Sequence, residues 1–320
     1  MARAFLFPGQ GSQAVGMGKS LAETFPAARE VFEEVDDALG QRLSRLMFEG
    51  EDSDLRLTEN AQPALMAVSM AVLRVLEREG GLDLRDKVAF VAGHSLGEYS
   101  GLAAASAFSL GDAARLLRRR GSAMQRAVPV GEGAMAALLG LELDVVQAVA
   151  AEAASSAPKE IGPQICDTAN DNAPGQVVVS GHLAAVERAI ALASARGAKR
   201  SVMLPVSAPF HCALMQPAAD EMAEALVAVP LIQPLVPLMA NITAAPVSDP
   251  DTIRDLLVEQ VTGMVRWRES VLAMKAAGVE QMFELGAGKV LSGLVRRIDR
   301  DLAAQAVGEP ADIEAALKLL

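Results

Sequence analysis

Two apolar periods alternate along this chain. Ala4-Phe5-Leu6-Phe7 and Val88-Ala89-Phe90-Val91-Ala92 are short and continuously apolar, the pattern of strands covered on both faces of a parallel sheet. Residues 26–39 and 63–79 instead repeat apolar side chains every three or four positions. The second of these stretches closes on Gly80-Gly81, so both are predicted as amphipathic helices. Residues 109–128 predict another helix, which carries Arg118-Arg119-Arg120. Strand-like and helix-like segments keep alternating, which places the chain in the α/β class.

The middle of the chain has a different order. Residues 134–139 predict a strand and 144–155 a helix. Strands follow at 164–169 and 176–180, joined by the turn-rich Asn170-Asp171-Asn172-Ala173-Pro174-Gly175. A helix over 183–196 and a strand over 199–204 complete a β-α-β-β-α-β series, the split arrangement of a ferredoxin-like unit. The expected architecture is a large hydrolase-like α/β domain with a parallel sheet, residues 1–130 and 206–320. It is interrupted by a small inserted ferredoxin-like domain, residues 131–205. Beyond it, strands are expected at 235–240 and 280–285 and helices at 213–227, 252–261 and 290–297, with a last helix in the acidic, alanine-rich end.

Composition narrows the function classes. The 320 residues are 51% hydrophobic and 22% charged, as suits a globular protein with a large core. A net charge of −11 with only 3% aromatics leaves neither a basic footprint nor stacking platforms for nucleic acid. Cys166 and Cys212 are too few for a disulfide framework or a zinc site, so they read as reduced structural thiols and no metal is expected. The stretch MARAFLFPGQGSQ is too briefly apolar for a leader. Residues 65–76 are broken by Ser69 and Arg74 and fall short of a bilayer. A cytoplasmic protein without a membrane partner is the expectation.

Chemistry concentrates at Gly93-His94-Ser95-Leu96-Gly97, where Gly-x-Ser-x-Gly follows an apolar strand and precedes a helix-compatible stretch. That is the pattern of a nucleophile elbow, which presents a serine at a strand's carboxyl end. Ser95 needs a base, and the chain holds three histidines. His94, on the turning backbone, reads as a packing residue, and His182 as a surface turn residue. His211 follows the serine in chain order, as a hydrolase-type base does. No acid partner stands out. Asp167 and Asp171 lie between serine and histidine, but within turn-like surroundings they read as turn formers. An ordered Ser-His dyad is therefore expected. The backbone N–H of Leu96, at the head of a helix, suits an oxyanion. Gln10, in Gly9-Gln10-Gly11, either supplies a second oxyanion donor or belongs to an ordinary turn. Arg118 and Arg119 read as a solvated face. Arg120 is either one more surface arginine or turns inward, where its planar fork could hold a substrate carboxylate. The elbow alone does not distinguish an esterase, a peptidase and an acyltransferase; a serine hydrolase and a catalytically silent binding subunit stay open as alternatives.

Six segments, in order, resemble the malonyl-CoA:acyl carrier protein transacylase family of fatty acid synthesis. They are FLFPGQGSQAVGMG, GHSLGEYSGLAAA, RRRGSAMQRAVP, NDNAPGQVVVSG, LPVSAPFHCALM and FELGAGKVLSGLVRR. The resemblance spans nearly the whole chain. It implies that Ser95 is the nucleophile that becomes malonylated and His211 its base. It also implies that Arg120 pairs with the free malonyl carboxylate and that the backbone N–H groups of Gln10 and Leu96 form the oxyanion hole. Gln260 matches the glutamine whose backbone carbonyl orients the histidine. Malonyl-CoA is the implied substrate, acyl carrier protein the partner that brings the phosphopantetheine thiol, and no cofactor is permanently bound. Met264 and Ala287 stand where family members often have proline. Leu96 and Phe210 resemble the malonyl-selective members. Basic clusters at Lys199 and Arg200, at Arg266 and Arg268, and at Arg296, Arg297 and Arg300 are candidates for meeting an acidic carrier.

Overall fold

A computed structural model describes residues 2–157 and 162–320. Among the described residues ten strands run in chain order: β1 (Ala2–Phe7), β2 (Phe90–Gly93), β3 (Gly133–Leu139), β4 (Cys166–Ala173), β5 (Gln176–His182), β6 (Arg200–Met203), β7 (Leu238–Ala240), β8 (Ala245–Val247), β9 (Val279–Leu285) and β10 (Ala303–Val307). Six of them form one sheet in the order β10-β9-β1-β2-β7-β8. Every neighbouring pair in it is parallel except β7 with β8. Alternate residues of β1 serve opposite faces: Phe5 and Phe7 join the larger apolar core, Ala4 and Leu6 a second core around Trp267 and Met282. Burial on both faces is why this strand reads as a run rather than an alternation.

The larger core is organised by the helix Thr58–Gly80, almost wholly buried from Thr58 to Leu76 and closed by Gly81 in the left-handed region at φ 64°. This helix begins at Thr58, before the predicted start at Pro63. Pro63 sits inside it, giving up one backbone bond, because Thr58, Asn60, Ala61 and Gln62 are all buried against the core. The helix Leu110–Ala127 lies across it at close range. A Cβ on Gly121 would stand 2.5 Å from the Thr58 carbonyl oxygen and 2.6 Å from Glu59 Cα.

The other four strands form a sheet ordered β4-β5-β3-β6, antiparallel throughout. Helices Leu143–Ser155 and Leu183–Ala195 cover it, and Leu138, Val146, Val149, Val177, Val179, Val186 and their neighbours make a separate apolar core. Here one expectation is corrected. Asn170, Asp171 and Asn172 are not a turn; they continue β4, with register irregularities, and only Pro174-Gly175 turns. Their polar groups have partners outside the sheet. Asp171 N–H donates to Val265 O at 3.0 Å and Val265 N–H to Ala169 O at 2.9 Å, stitching β4 to the large sheet's side of the molecule. Arg268 Nε donates to the buried Asp171 carboxylate at 2.9 Å.

Smaller differences have local causes. β2 and β7 are shorter than their apolar runs, although Ala89 N–H still donates to Arg3 O and Pro237 O still accepts from Val91 N–H. The segment 213–227 opens with a tight turn, Ala213–Met215, before the helix Gln216–Val227. Helix Trp267–Ala276 and strands β8 and β10 were not predicted; β10 pairs only with β9 and carries a weak, alanine-rich apolar signal. The final helix, Pro310–Leu317, is held by a capping box between Glu309 and Asp312. No helix of the described residues is long and apolar enough to cross a membrane.

Gly121→Ala tests the helix crossing. In an open helix this change stabilises by about 1 kcal/mol. Here overpacking against backbone should reverse the sign, with a net loss of about 1–2 kcal/mol in denaturant melts. A melting temperature that rises would contradict the close approach.

Candidate active site

The loops that leave the carboxyl ends of β1 and β2, and the helix Val290–Ile298 that follows β9, border one cleft of about 480 Å³, the position expected where an open parallel sheet changes winding direction. Its polar end holds Gln10, Ser95, Leu96, Arg120 and His211; its other walls include Met124, Met135, Leu204, Val206 and Phe210.

Ser95 follows β2 with φ 55°, the left-handed region, which costs a non-glycine residue of order 1–3 kcal/mol. The two glycines of the motif make that turn sterically feasible. A Cβ at Gly93 would overlap the backbone of Gly97, and one at Gly97 would overlap the Phe7 carbonyl of β1. Side chains from distant segments hold the strained residue. Ser95 N–H donates to Asn241 Oδ1 at 2.8 Å, Gln260 Nε2 donates to Ser95 O at 3.0 Å, and Asn241 Nδ2 donates to Gly93 O at 2.7 Å. Helix Gly97–Ala104 starts directly after Leu96. Neither the Leu96 nor the Gln10 backbone N–H donates to an acceptor among the described residues.

His211 also has a positive φ, 58°, and is buried. Its Nε2 stands 2.8 Å from Ser95 Oγ, and its Nδ1 stands 2.9 Å from Gln260 O and 3.2 Å from Gly263 O. Carbonyl oxygens only accept, so the ring proton belongs on Nδ1 and the Nε2 lone pair faces the hydroxyl. Burial first, and the nearby Arg120 charge second, press the imidazole down to about 3. The ring is thus neutral and free to take a proton. Neither Asp167 nor Asp171 reaches it: Asp167 accepts from Ala213 N–H at 3.0 Å, and Asp171 is paired with Arg268. Both are structural anchors rather than the turn formers the sequence suggested.

Arg120 turns inward and is 1% exposed. Nη1 donates to Gln62 Oε1 at 2.9 Å; Nη2 donates to Gln260 Oε1 at 2.8 Å and to Ser95 Oγ at 3.1 Å. Its Cζ lies 5.8 Å from the centre of the Tyr99 ring. Its Nε has no partner among the described residues. Burial lowers its pKa, while Tyr99 and Glu98 oppose that shift. Arg119 lies on the surface, paired with Glu221. Arg118 departs from the solvated-face expectation: it is half-buried and donates to Asn60 and Gln41 side-chain oxygens, both at 2.7 Å. His94 is a packing residue as expected, tilted on Trp267 at 5.7 Å, with Nε2 2.9 Å from Asn172 Oδ1. His182 ends β5 instead of lying in a turn, and its Nδ1 accepts from Ile165 N–H at 2.9 Å.

Four polar residues around the site escaped the sequence reading. Thr58 Oγ1 donates to Gln10 Oε1 at 2.8 Å and accepts from Gln62 Nε2 at 3.0 Å, so Arg120, Gln62, Thr58 and Gln10 form one hydrogen-bonded line. Glu98, 2% exposed, accepts from Asn241 N–H at 2.6 Å and from Gln260 Nε2. Burial pushes the Glu98 carboxyl up to about 8, against those two donors and the Arg120 charge. Glu98 alone left a trace in the sequence, as the one acid on an otherwise uncharged helix behind the elbow. The others become functional candidates only through long-range contact.

The chain's relatives share this arrangement's length and fold. A family model described as the acyl transferase domain matches residues 4–300. The malonyl CoA-acyl carrier protein transacylase of Escherichia coli (strain K12) is 46% identical over 316 residues, covering 99% of each chain. The solved acyl-carrier-protein-S-malonyltransferase of Bartonella henselae superposes with TM-score 0.95 at 58% identity, over 100% of this chain and 99% of that one. A malonyl-transacylase solved in complex with its type II PKS acyl-carrier protein gives TM-score 0.94 at 41% identity, over 100% of both chains.

The His211 environment has a direct spectroscopic consequence. A histidine whose folded pKa lies below its unfolded value stabilises the fold above about pH 6.5 and loses that contribution as pH falls toward the folded value. Ring-carbon NMR should therefore show His211 still neutral at about pH 5.5, a unit below the ordinary value. A His211 signal titrating near 6.5 would contradict the buried, Arg120-adjacent setting.

Proposed function

The chain belongs to the malonyl-CoA:acyl carrier protein transacylase family, and from that premise we propose that its cleft moves a malonyl group from coenzyme A to a carrier-bound phosphopantetheine thiol by way of Ser95. The observation that carries this reading is the buried Arg120 guanidinium 3.1 Å from Ser95 Oγ, with no carboxylate of the described residues in direct contact. A buried cation beside a nucleophile suits an acyl group that brings its own negative charge.

The steps follow from the proton positions. His211 Nε2 takes the Ser95 hydroxyl proton as Oγ attacks the thioester carbonyl of malonyl-CoA. The tetrahedral oxyanion is received by the backbone N–H groups of Gln10 and Leu96, helped by the positive end of helix Gly97–Ala104. Collapse breaks the carbon–sulfur bond, and the imidazolium returns its proton to the departing CoA sulfur. The carrier's phosphopantetheine thiol then attacks malonyl-Ser95, giving its proton to His211, and Ser95 leaves reprotonated. The carbonyls of Gln260 and Gly263 do the orienting work that an aspartate does in a serine-histidine-aspartate triad. They hold the tautomer without adding a second negative charge near the malonyl carboxylate.

We read residues 131–205 as an inserted ferredoxin-like domain within a hydrolase-like domain of residues 1–130 and 206–320. The β3-helix-β4-β5-helix-β6 order and the β4-β5-β3-β6 sheet support that division. For the acidic carrier, the edge formed by Lys199, Arg200 and Arg297 is the best docking candidate, because Arg266 and Arg268 are already paired with Glu269 and Asp171. A cytoplasmic setting fits this exchange between soluble carriers.

Two experiments test the reading. Intact-mass analysis after mixing with malonyl-CoA should show one malonyl adduct, absent in Ser95→Ala; prompt release of free malonate without carrier thiol would point to a hydrolase instead. Arg120→Ala should erase the preference for malonyl over acetyl groups by about 2–5 kcal/mol, the scale of truncating a buried charge pair. Retained discrimination in competition assays would remove Arg120 from substrate recognition.

A further inference from the structure

The transfer steps leave one ionisable side chain at the heart of the site without a task. Glu98 is buried behind the elbow, does not line the cleft, and reaches it through only two hydrogen bonds. One of its oxygens accepts from the Asn241 backbone N–H, which cannot turn round. The other accepts from Gln260 Nε2, so the Gln260 amide is forced to point its oxygen the opposite way, where Arg120 Nη2 donates to it at 2.8 Å. The same amide nitrogen also donates to Ser95 O at 3.0 Å.

We propose that Glu98 is a positioning residue for acyl-group selection, fixing the polarity of the Gln260 amide so that the Arg120 guanidinium is held beside Ser95 to receive a carboxylate. This rests on the malonyl-transfer reading and adds to it a residue that touches no substrate. A glutamine at position 98 must keep its oxygen on the Asn241 N–H and so turns its own NH2 toward Gln260. Gln260 then either meets that NH2 donor against donor and is pushed off, or flips, presenting NH2 to a guanidinium that has only donors and its oxygen to the Ser95 carbonyl; both outcomes weaken its hold on Arg120. Arg120 loses the acceptor that holds Nη2, and Ser95 O loses its Gln260 donor, while the Asn241 bond to Ser95 N–H, His211 and the backbone carbonyl of Gln260 stay as they are.

Glu98→Gln therefore separates selection from chemistry. At about pH 8.5, above the value near 8 to which burial raises Glu98, kcat/KM is measured for malonyl-CoA and acetyl-CoA. The malonyl-to-acetyl ratio should fall about ten- to hundredfold, the worth of one hydrogen bond to a charged group, chiefly through a raised malonyl-CoA KM. Acetyl transfer, which offers Arg120 no carboxylate to hold, should stay within about threefold of native. An unchanged ratio, or an equal loss for both substrates, would assign Glu98 to the fold alone and overturn the proposal. Should Glu98→Gln not fold, Gln260→Met tests the same bridge, since it keeps the backbone carbonyl on His211; an unchanged ratio there overturns it equally. The native protein run alongside separates the two levels: without a malonyl-Ser95 adduct the transfer reading fails and this one with it, whereas with the adduct the ratio judges Glu98 alone.

Discussion

A guanidinium buried beside a serine and a neutral histidine is the constraint around which the rest of this molecule is arranged. An interior cation is costly unless its donors are taken up by acceptors held in place. Arg120 meets that condition without a direct carboxylate among the described residues: Gln62 and Gln260 present amide oxygens, Tyr99 presents a ring face, and Ser95 an oxygen. Neutral acceptors leave the positive charge uncancelled. The same charge helps keep His211 unprotonated, so the element suited to recognising an anion also prepares a base.

Holding those acceptors draws on elements from across the larger apolar core. Gln62 comes from the long buried helix Thr58–Gly80, Gln260 from helix Pro250–Thr262, and Ser95 from the loop after β2. Gly121 lets the arginine's own helix lie against Thr58 and Glu59, which brings Arg120 within reach of Gln62. Ser95 and His211 both occupy the left-handed region, and each is over-determined by bonds from segments far away in sequence. Strain at two facing residues thus depends on packing throughout the core, which is how a precise 2.8 Å approach is kept in the absence of an acid partner.

The contrast between Asp171 and Glu98 shows what a single chain conceals. Asn170-Asp171-Asn172 has the composition of a turn, and local reasoning put it there. In the fold it is a strand, because Val265, Arg268 and His94 supply partners that turn chemistry would otherwise provide. Glu98 stood in plain view inside the elbow motif, yet its meaning depends on Asn241 and Gln260, more than a hundred residues away. Polar residues in elements are ambiguous for this reason: their preferred conformation is set by whichever partner arrives, and partners are not written nearby.

By itself the sequence determined whatever rests on local periodicity and local sterics. The buried strands, the long helices, the turn at Gly93 to Gly97 and the βαββαβ order of elements all follow from spacing within a few residues, where side-chain period and glycine requirements act directly. The ordered series of motifs also carried the family. Only the tertiary structure decided which way Arg120 points, which carbonyls face His211, how the Gln260 amide is turned, and why β4 is a strand. Each of these is an orientation set by hydrogen bonds and burial between segments distant in the chain, and no short-range pattern contains that information.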